Sequence, residues 1–414
     1  MIMDMERLAR LYDGKENAEK QLKRFENLKK TFAEKFGSSD NCELISAPGR
    51  TEIAGNHTDH NYGCVLAASV DLDTVACARK TGDSIVTLYS DGYDKPFVVD
   101  VSDLTVHPEE KETTFALIRG VAAHLIEAGY KVGGFEACVT STVLRGSGLS
   151  SSAAFEVLLV SINDALFNGW TVPAELNAKI SQKAENNYFL KPCGLMDQMA
   201  SAVGGLVNID FKDGGAVVRA LKYDFSAKGY ALCVVSAGGD HGNLTSEYAA
   251  VPQEMKAVAK ALGGNVLRDV EDKVDGEIAF LKGKVSDRSI LRALHFVDEN
   301  KRVGEMVKAL ENDDLPAFLD GIIESGESSW KLLQNLCVPG RDNQEMMLAL
   351  EMSKRFLKNA GGAWRIHGGG FAGTILAFVP KDMVNDYCTR MNAVFGENAV
   401  KPLYVRPEGA VWLK

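Results

Sequence analysis

The chain has 414 residues, 46% hydrophobic and 25% charged, with a formal net charge of −10. Its length suits two domains of ordinary size, and its acidic balance disfavours a general binder of nucleic acid or anionic membrane, although one nucleotide held by backbone N–H groups and a cation stays open. Eight cysteines without a C-x-x-C pair, and no run near about eighteen apolar residues, lead us to expect a cytoplasmic protein with buried thiols and no membrane contact.

Residues 16–36 are rich in helix formers, with Leu22, Phe25, Leu28, Phe32 and Phe36 recurring at three- or four-residue steps, so they predict an amphipathic helix packed on the rest of the protein. CELISAP then predicts a short strand, and VLAASVDLDTVACAR a second. Between them GRTEIAGNHTDHNYG is polar and glycine-punctuated, which reads as a binding loop on a sheet scaffold. A hairpin over 84–99 turning at Gly92, a buried helix over 113–128 and a strand over 135–142 follow. Next comes LRGSGLSSSAAFEVLLVSINDALF, a glycine-rich turn opening into a helix near Ser150–Ser152. A helix over 173–189 precedes the turn and short helix of GLMDQMASAVGG and the strand LVNID. A second half begins near 212, with KDGGAVVRA supplying turns and a strand over 230–237. Helices are expected over 246–262, 288–311, 314–334 and 343–360, then a glycine run, the strand TILAFV and a last helix near 381–394.

Four segments carry chemistry. In Gly146-Ser147-Gly148-Leu149-Ser150-Ser151-Ser152, small residues let backbone amides approach a phosphate, and the helix start adds positive potential. The bland alternative is a glycine turn with a serine cap. No G-K-[ST] ending follows, so this is not a Walker loop, and the chain does not continue as a regular βαβ series. Arg50, Asn56, His57, Asp59 and His60 form a mixture of donors and acceptors suited to a polyhydroxylated ligand, against the alternative of a local capping network. Glu185 and Asp197 flank a Pro-Cys-Gly turn that can bring both acids to one cleft, where phosphoryl transfer asks for one acid on Mg²⁺ and one facing the acceptor hydroxyl. The glycine cluster of His367-Gly368-Gly369-Gly370-Phe371-Ala372-Gly373 is either a tight turn or a wall of the cleft.

Taken together, APGRTEIAGNHTDHNYGCVLAAS, LRGSGLSSSAAFE, CGLMDQMAS, SAGGDHGNLTSEY and IHGGGFAGTIL resemble, in order and separation, the GHMP family of small-molecule kinases, and within it the galactokinase branch. The resemblance implies an α/β (α+β) GHMP kinase fold. An N-terminal domain like ribosomal protein S5 domain 2, with a helical extension and the phosphate loop, would cover 1–211, and a ferredoxin-like α/β domain 212–414. It also implies an ATP- and Mg²⁺-dependent sugar kinase phosphorylating galactose at the anomeric hydroxyl.

By motif position, the resemblance gives Asp197 the acceptor hydroxyl, Arg50 the developing charge, and Ser151 and Glu185 the Mg²⁺. Residues 146–152 would cradle the phosphates. Asn56, His57, Asp59, Gly194 and Tyr248 would meet the sugar. The pattern also departs from the family: Asn56 stands where glutamate is usual, Leu144 replaces a proline, Ala372 a glycine, and AAVP after Tyr248 lacks paired arginines. These departures leave open a kinase for another sugar or amino sugar, or a catalytically weak sugar and ATP sensor. A monomer binding only small molecules is expected.

Overall fold

Leucine and phenylalanine at helical spacing make the N-terminal segment amphipathic, and the computed structural model, which describes residues 4–143, 148–238, 244–338, 340 and 342–414, places that apolar face inward. The helix runs Lys15–Phe36, buries Ala18, Phe25, Leu28 and Phe32, and stops at Gly37, whose φ of +82° makes a left-handed cap. Each buried large side chain contributes about 1.5–3 kcal/mol relative to exposure. They pack on Leu44, Val75, Cys77 and Cys138 of the sheet below. A preceding short helix, Met5–Leu11, was not foreseen; Asp4 caps it by accepting from the Glu6 and Arg7 amides.

Seven strands follow in the first part of the chain: β1 (Glu43–Ala54), β2 (Cys64–Lys80), β3 (Ile85–Ser90), β4 (Phe97–Asp100), β5 (Phe135–Ser141), β6 (Leu206–Asp210) and β7 (Val217–Leu221). Four more, β8 (Tyr230–Gly238), β9 (Ala363–His367), β10 (Gly373–Pro380) and β11 (Val400–Leu403), form a separate sheet, and β12 (Val411–Leu413) returns to the first. The first sheet runs β12-β1-β2-β5-β3-β4, with β6 on the other half of β2 and β7 outside β6. All pairs are antiparallel except β3 with β5. The second sheet has the order β11-β8-β10-β9, wholly antiparallel. Helices lie between β8 and β9, and Val384–Phe395 between β10 and β11, which is the expected ferredoxin-like β-α-β-β-α-β arrangement. No described helix is long and apolar enough to cross a membrane, and all eight cysteines are free.

Two local expectations need correction. GRTEIA is not loop: β1 continues to Ala54, with register shifts after Pro48 and Glu52, and only 55–63 connects it to β2. Its polar residues misled because Arg50, Thr51 and Glu52 point inward and find charged or hydrogen-bonding partners there. Likewise part of KDGGAVVRA is β7, an exposed edge strand whose outward residues carry no apolar alternation.

Candidate active site

Crossing elements deliver the chemistry. β1 carries Arg50, the helix Met196–Val203 carries Asp197 in its first turn, and the helix Ser151–Asn163 begins beside both. Arg50 donates from Nε to Asp197 Oδ1 at 2.6 Å and from Nη2 to Oδ2 at 2.7 Å, a bidentate fork that fixes the carboxylate plane. Its Nη1 donates to the Gly148 carbonyl at 2.5 Å, and its backbone N–H to the Leu149 carbonyl. Ser150 precedes the helix in the left-handed region at φ +55°. Its hydroxyl makes no capping bond, because it donates to Asp197 instead. The first-turn amides of this helix therefore lack a side-chain cap, as an anion site at a helix start requires.

Gly148 has φ +73°, and a Cβ there would lie 2.6 Å from Thr374 Oγ1 and 2.9 Å from His367 Nδ1, so this turn is pressed on β10 and β9 of the second sheet. Ser151 is half-buried and Ser152 exposed, while Leu149 is buried in the apolar interior. Gly146 and Ser147 lie outside the described residues. His367 is buried between Thr51 Oγ1 (3.0 Å) and Thr374 Oγ1 (2.9 Å). Burial, reinforced by Arg50 and Arg365, pushes its pKa well below the ordinary value and keeps it neutral.

Behind Asp197 the expected Glu185 is joined by an unforeseen second acid, Glu156. Gln198 Nε2 donates to Glu185 Oε2 at 2.9 Å and to Glu156 Oε2 at 3.0 Å, and all three side chains are buried. Burial raises both carboxyls, with the Glu185 charge adding to Glu156 and the Asp197 charge adding to Glu185. Glu156 Oε1 and Gln198 Oε1 have no partner. Carboxyl and amide oxygens left without partners beside Glu185 are hard donors that suit Mg²⁺. Among the described residues no group of three or more His, Cys, Asp or Glu is arranged as a metal cage. A single acid in the apolar run AAFEVLLV is the signal that could have exposed Glu156.

On the expected sugar side, Asp59 and Gly194 meet: a Cβ on Gly194 would lie 2.3 Å from Asp59 Oδ2. Three consecutive carbonyls of the third glycine cluster accept side-chain donors from the expected sugar-side residues. Asn56 Nδ2 reaches Gly368 O at 2.7 Å, His57 Nε2 reaches Gly369 O at 2.8 Å, and Tyr248 Oη reaches Gly370 O at 2.9 Å. Because a carbonyl only accepts, His57 carries its proton on Nε2; burial lowers its pKa, so Nδ1 is left as an acceptor. The structure thus gathers Arg50, Asp197 and Ser150 at one end and His57, Tyr248, Asp59 and Gly194 toward the other.

Asn56 departs from the expectation of sugar contact. It is fully buried, its amide N–H groups go to Glu52 and Gly368, and its Oδ1 accepts from Asn335 at 2.8 Å. A short, fully packed amide cannot also reach a ligand.

Comparison with known proteins agrees with this architecture. The family described as galactokinase galactose-binding signature matches residues 30–80, and that described as GHMP kinases N terminal domain matches 116–205. Galactokinase of Glaesserella parasuis is 31% identical over 85% of this chain and 89% of its own, and galactokinase of Streptomyces coelicolor 32% over 84% and 87%. The crystal structure of Lactococcus lactis galactokinase complexed with galactose superposes with a TM-score of 0.79 at 26% identity, covering 94% of this chain and 99% of the other. Mevalonate kinase of Methanococcus jannaschii, at 14% identity and a TM-score of 0.64 over 88% and 99%, shares the fold.

Proposed function

This chain belongs to the galactokinase family of GHMP kinases, an ATP-dependent sugar phosphotransferase family, and from that premise we propose that it phosphorylates galactose at the anomeric hydroxyl. The observation that carries the reading is the Arg50–Asp197 fork set against an uncapped helix start at Ser151. Phosphoryl transfer needs positioning and charge neutralisation more than covalent help.

Asp197 orients the acceptor hydroxyl and takes its proton as the bond to phosphorus forms. Arg50 holds that carboxylate and lends positive charge to the transferring group. Amides of 146–152 cradle the phosphates, while His57, Asp59, Gly194 and Tyr248 frame the sugar. Ser151 and Glu185 would hold Mg²⁺, which would supply positive charge to the phosphates. Residues 1–211 and 212–414 serve as the two lobes that supply these groups, with β7 and β12 crossing back into the first sheet. A monomer in the cytoplasm completes the proposal, and eight free thiols support a reducing compartment.

The test is coupled ADP release with Mg·ATP against galactose, glucose, mannose, arabinose, N-acetylgalactosamine and fucose, with the phosphate located on any product. Galactose 1-phosphate is the expected product. Turnover of another sugar alone would replace galactose by that sugar, a reading that the saturated amide of Asn56 favours. ATP binding without turnover of any sugar would leave a sensor.

A further inference from the structure

The loop after β1 is fastened to the second lobe through groups that the transfer step does not use. Glu299 Oε1 accepts from the Gly55 amide at 2.9 Å, and His295 Nε2 donates to the Asn56 carbonyl at 3.0 Å. Asn335 Nδ2 donates both to Asn56 Oδ1 at 2.8 Å and to the Gly369 carbonyl at 3.1 Å, the same carbonyl that receives His57. On the opposite side Glu52 Oε1 accepts from Asn56 Nδ2 at 2.9 Å and from Arg365 Nη2 at 2.8 Å. Asn56, Asn335 and Arg365 are fully buried, and Glu52 is 4% exposed.

The arrangement dictates an amide at position 56. A carboxylate there would lose both N–H donors, set its charge against Glu52, and face the Gly368 carbonyl without a proton to offer. Arg365 neutralises one buried carboxylate, not two. The absent glutamate is thus linked to the presence of Glu52.

We propose that Asn335 and Glu52 are positioning residues for sugar recognition. They take up the hydrogen-bonding capacity of Asn56 and fix the Gly368 and Gly369 carbonyls, and through them the orientation of His57, without touching substrate. This inference rests on the sugar-kinase reading above.

Steady-state kinetics with galactose and Mg·ATP varied separately, alongside thermal melts, test it on Asn335→Ala, Asn335→Asp, Asn56→Glu and the double variant Asn56→Glu/Glu52→Gln. Asn335→Asp keeps the shape but loses the donors. Both Asn335 variants should therefore raise the galactose KM about tenfold while the ATP KM stays within about twofold, as expected for loss of oriented hydrogen bonds on one substrate's side only. Asn56→Glu alone should raise the galactose KM further, and adding Glu52→Gln should restore most of the loss. Equal rises in both KM values, an unchanged galactose KM, or a double variant no better than Asn56→Glu would overturn the proposal. Absence of turnover by the unmodified chain would instead sink the parent reading. Should Asn335→Ala not fold, the isosteric Asn335→Asp and the 52/56 pair still decide the matter.

Discussion

Replacing Asp197 with asparagine tests the centre of the site while leaving its volume unchanged. Both carboxylate oxygens are engaged: Oδ1 takes Arg50 Nε, and Oδ2 takes Arg50 Nη2 and the Ser150 hydroxyl. An amide keeps one acceptor and turns the other position into a donor facing donors, so the fork breaks. Charge-assisted hydrogen bonds contribute about 1.5–3 kcal/mol each. The Asp197 side chain is 29% exposed, so water replaces part of the loss and the net cost falls to about 1–2 kcal/mol. For a lobe of this size that lowers Tm by about 2–8 °C. Turnover suffers far more, since an acceptor hydroxyl without its oriented base loses about 10²–10⁴ in kcat. The assays are ADP release at saturating galactose, ATP affinity by titration calorimetry, and a thermal melt. A variant that melts normally, binds ATP, and retains turnover within about tenfold of the unmodified chain would refute the assignment of Asp197.

Burial lowers the pKa of His295 to about 4, although Glu299 beside it pulls the other way, and Arg302 and His57 also face it. The unfolded chain binds that proton near pH 6.5, so stability present above about 6.5 is lost as pH falls through about 4, by up to about 3 kcal/mol. His295→Gln should flatten the pH dependence of urea unfolding in that window, and an unchanged slope would remove His295 as its source. Glu299, held at about 2 by His295, Arg302 and Arg365 against the penalty of burial, adds a separate loss only below its ordinary range. Glu185→Gln should raise the Mg²⁺ concentration for half-maximal rate by about 10–100-fold while leaving galactose affinity intact. An identical Mg²⁺ titration would remove Glu185 from the cation.

Most elements were legible because their periodicity matched their burial: the helix at 15–36, the hairpin over 85–100 and the strand at 230–238 fall where apolar spacing put them. Misreadings share a cause. Arg50, Thr51 and Glu52 look like loop residues, since a sequence displays polarity and not the partner, 147 to 316 positions away, that makes inward polarity tolerable. Asn56 was legible as an anomaly but not as a buried one, because its packing depends on Asn335, 279 positions away, and on Arg365 through Glu52, neither of which stood out in its segment. Asp197 and Arg50 were readable only through their company. Glu156 had a local signal, a lone acid in the apolar run AAFEVLLV, whereas Gln198 had none because its partners Glu156 and Glu185 lie 42 and 13 positions away.

β12 lays Val411, Trp412 and Leu413 against Ser46, Ile45 and Leu44, on the outer edge of a strand made some 360 residues earlier. During synthesis that edge waits. At about 5–20 residues per second, the stretch from 222 to 410 leaves the nascent first lobe with an open β-edge for about 10–40 s after β7 has emerged. The helix 15–36 is already made, and its Phe25 and Phe32 belong to the same cluster as Val411 and Leu413. It can cover that apolar face before Val411 and Leu413 arrive, while the backbone edge of β1 itself stays unpaired until β12 is made.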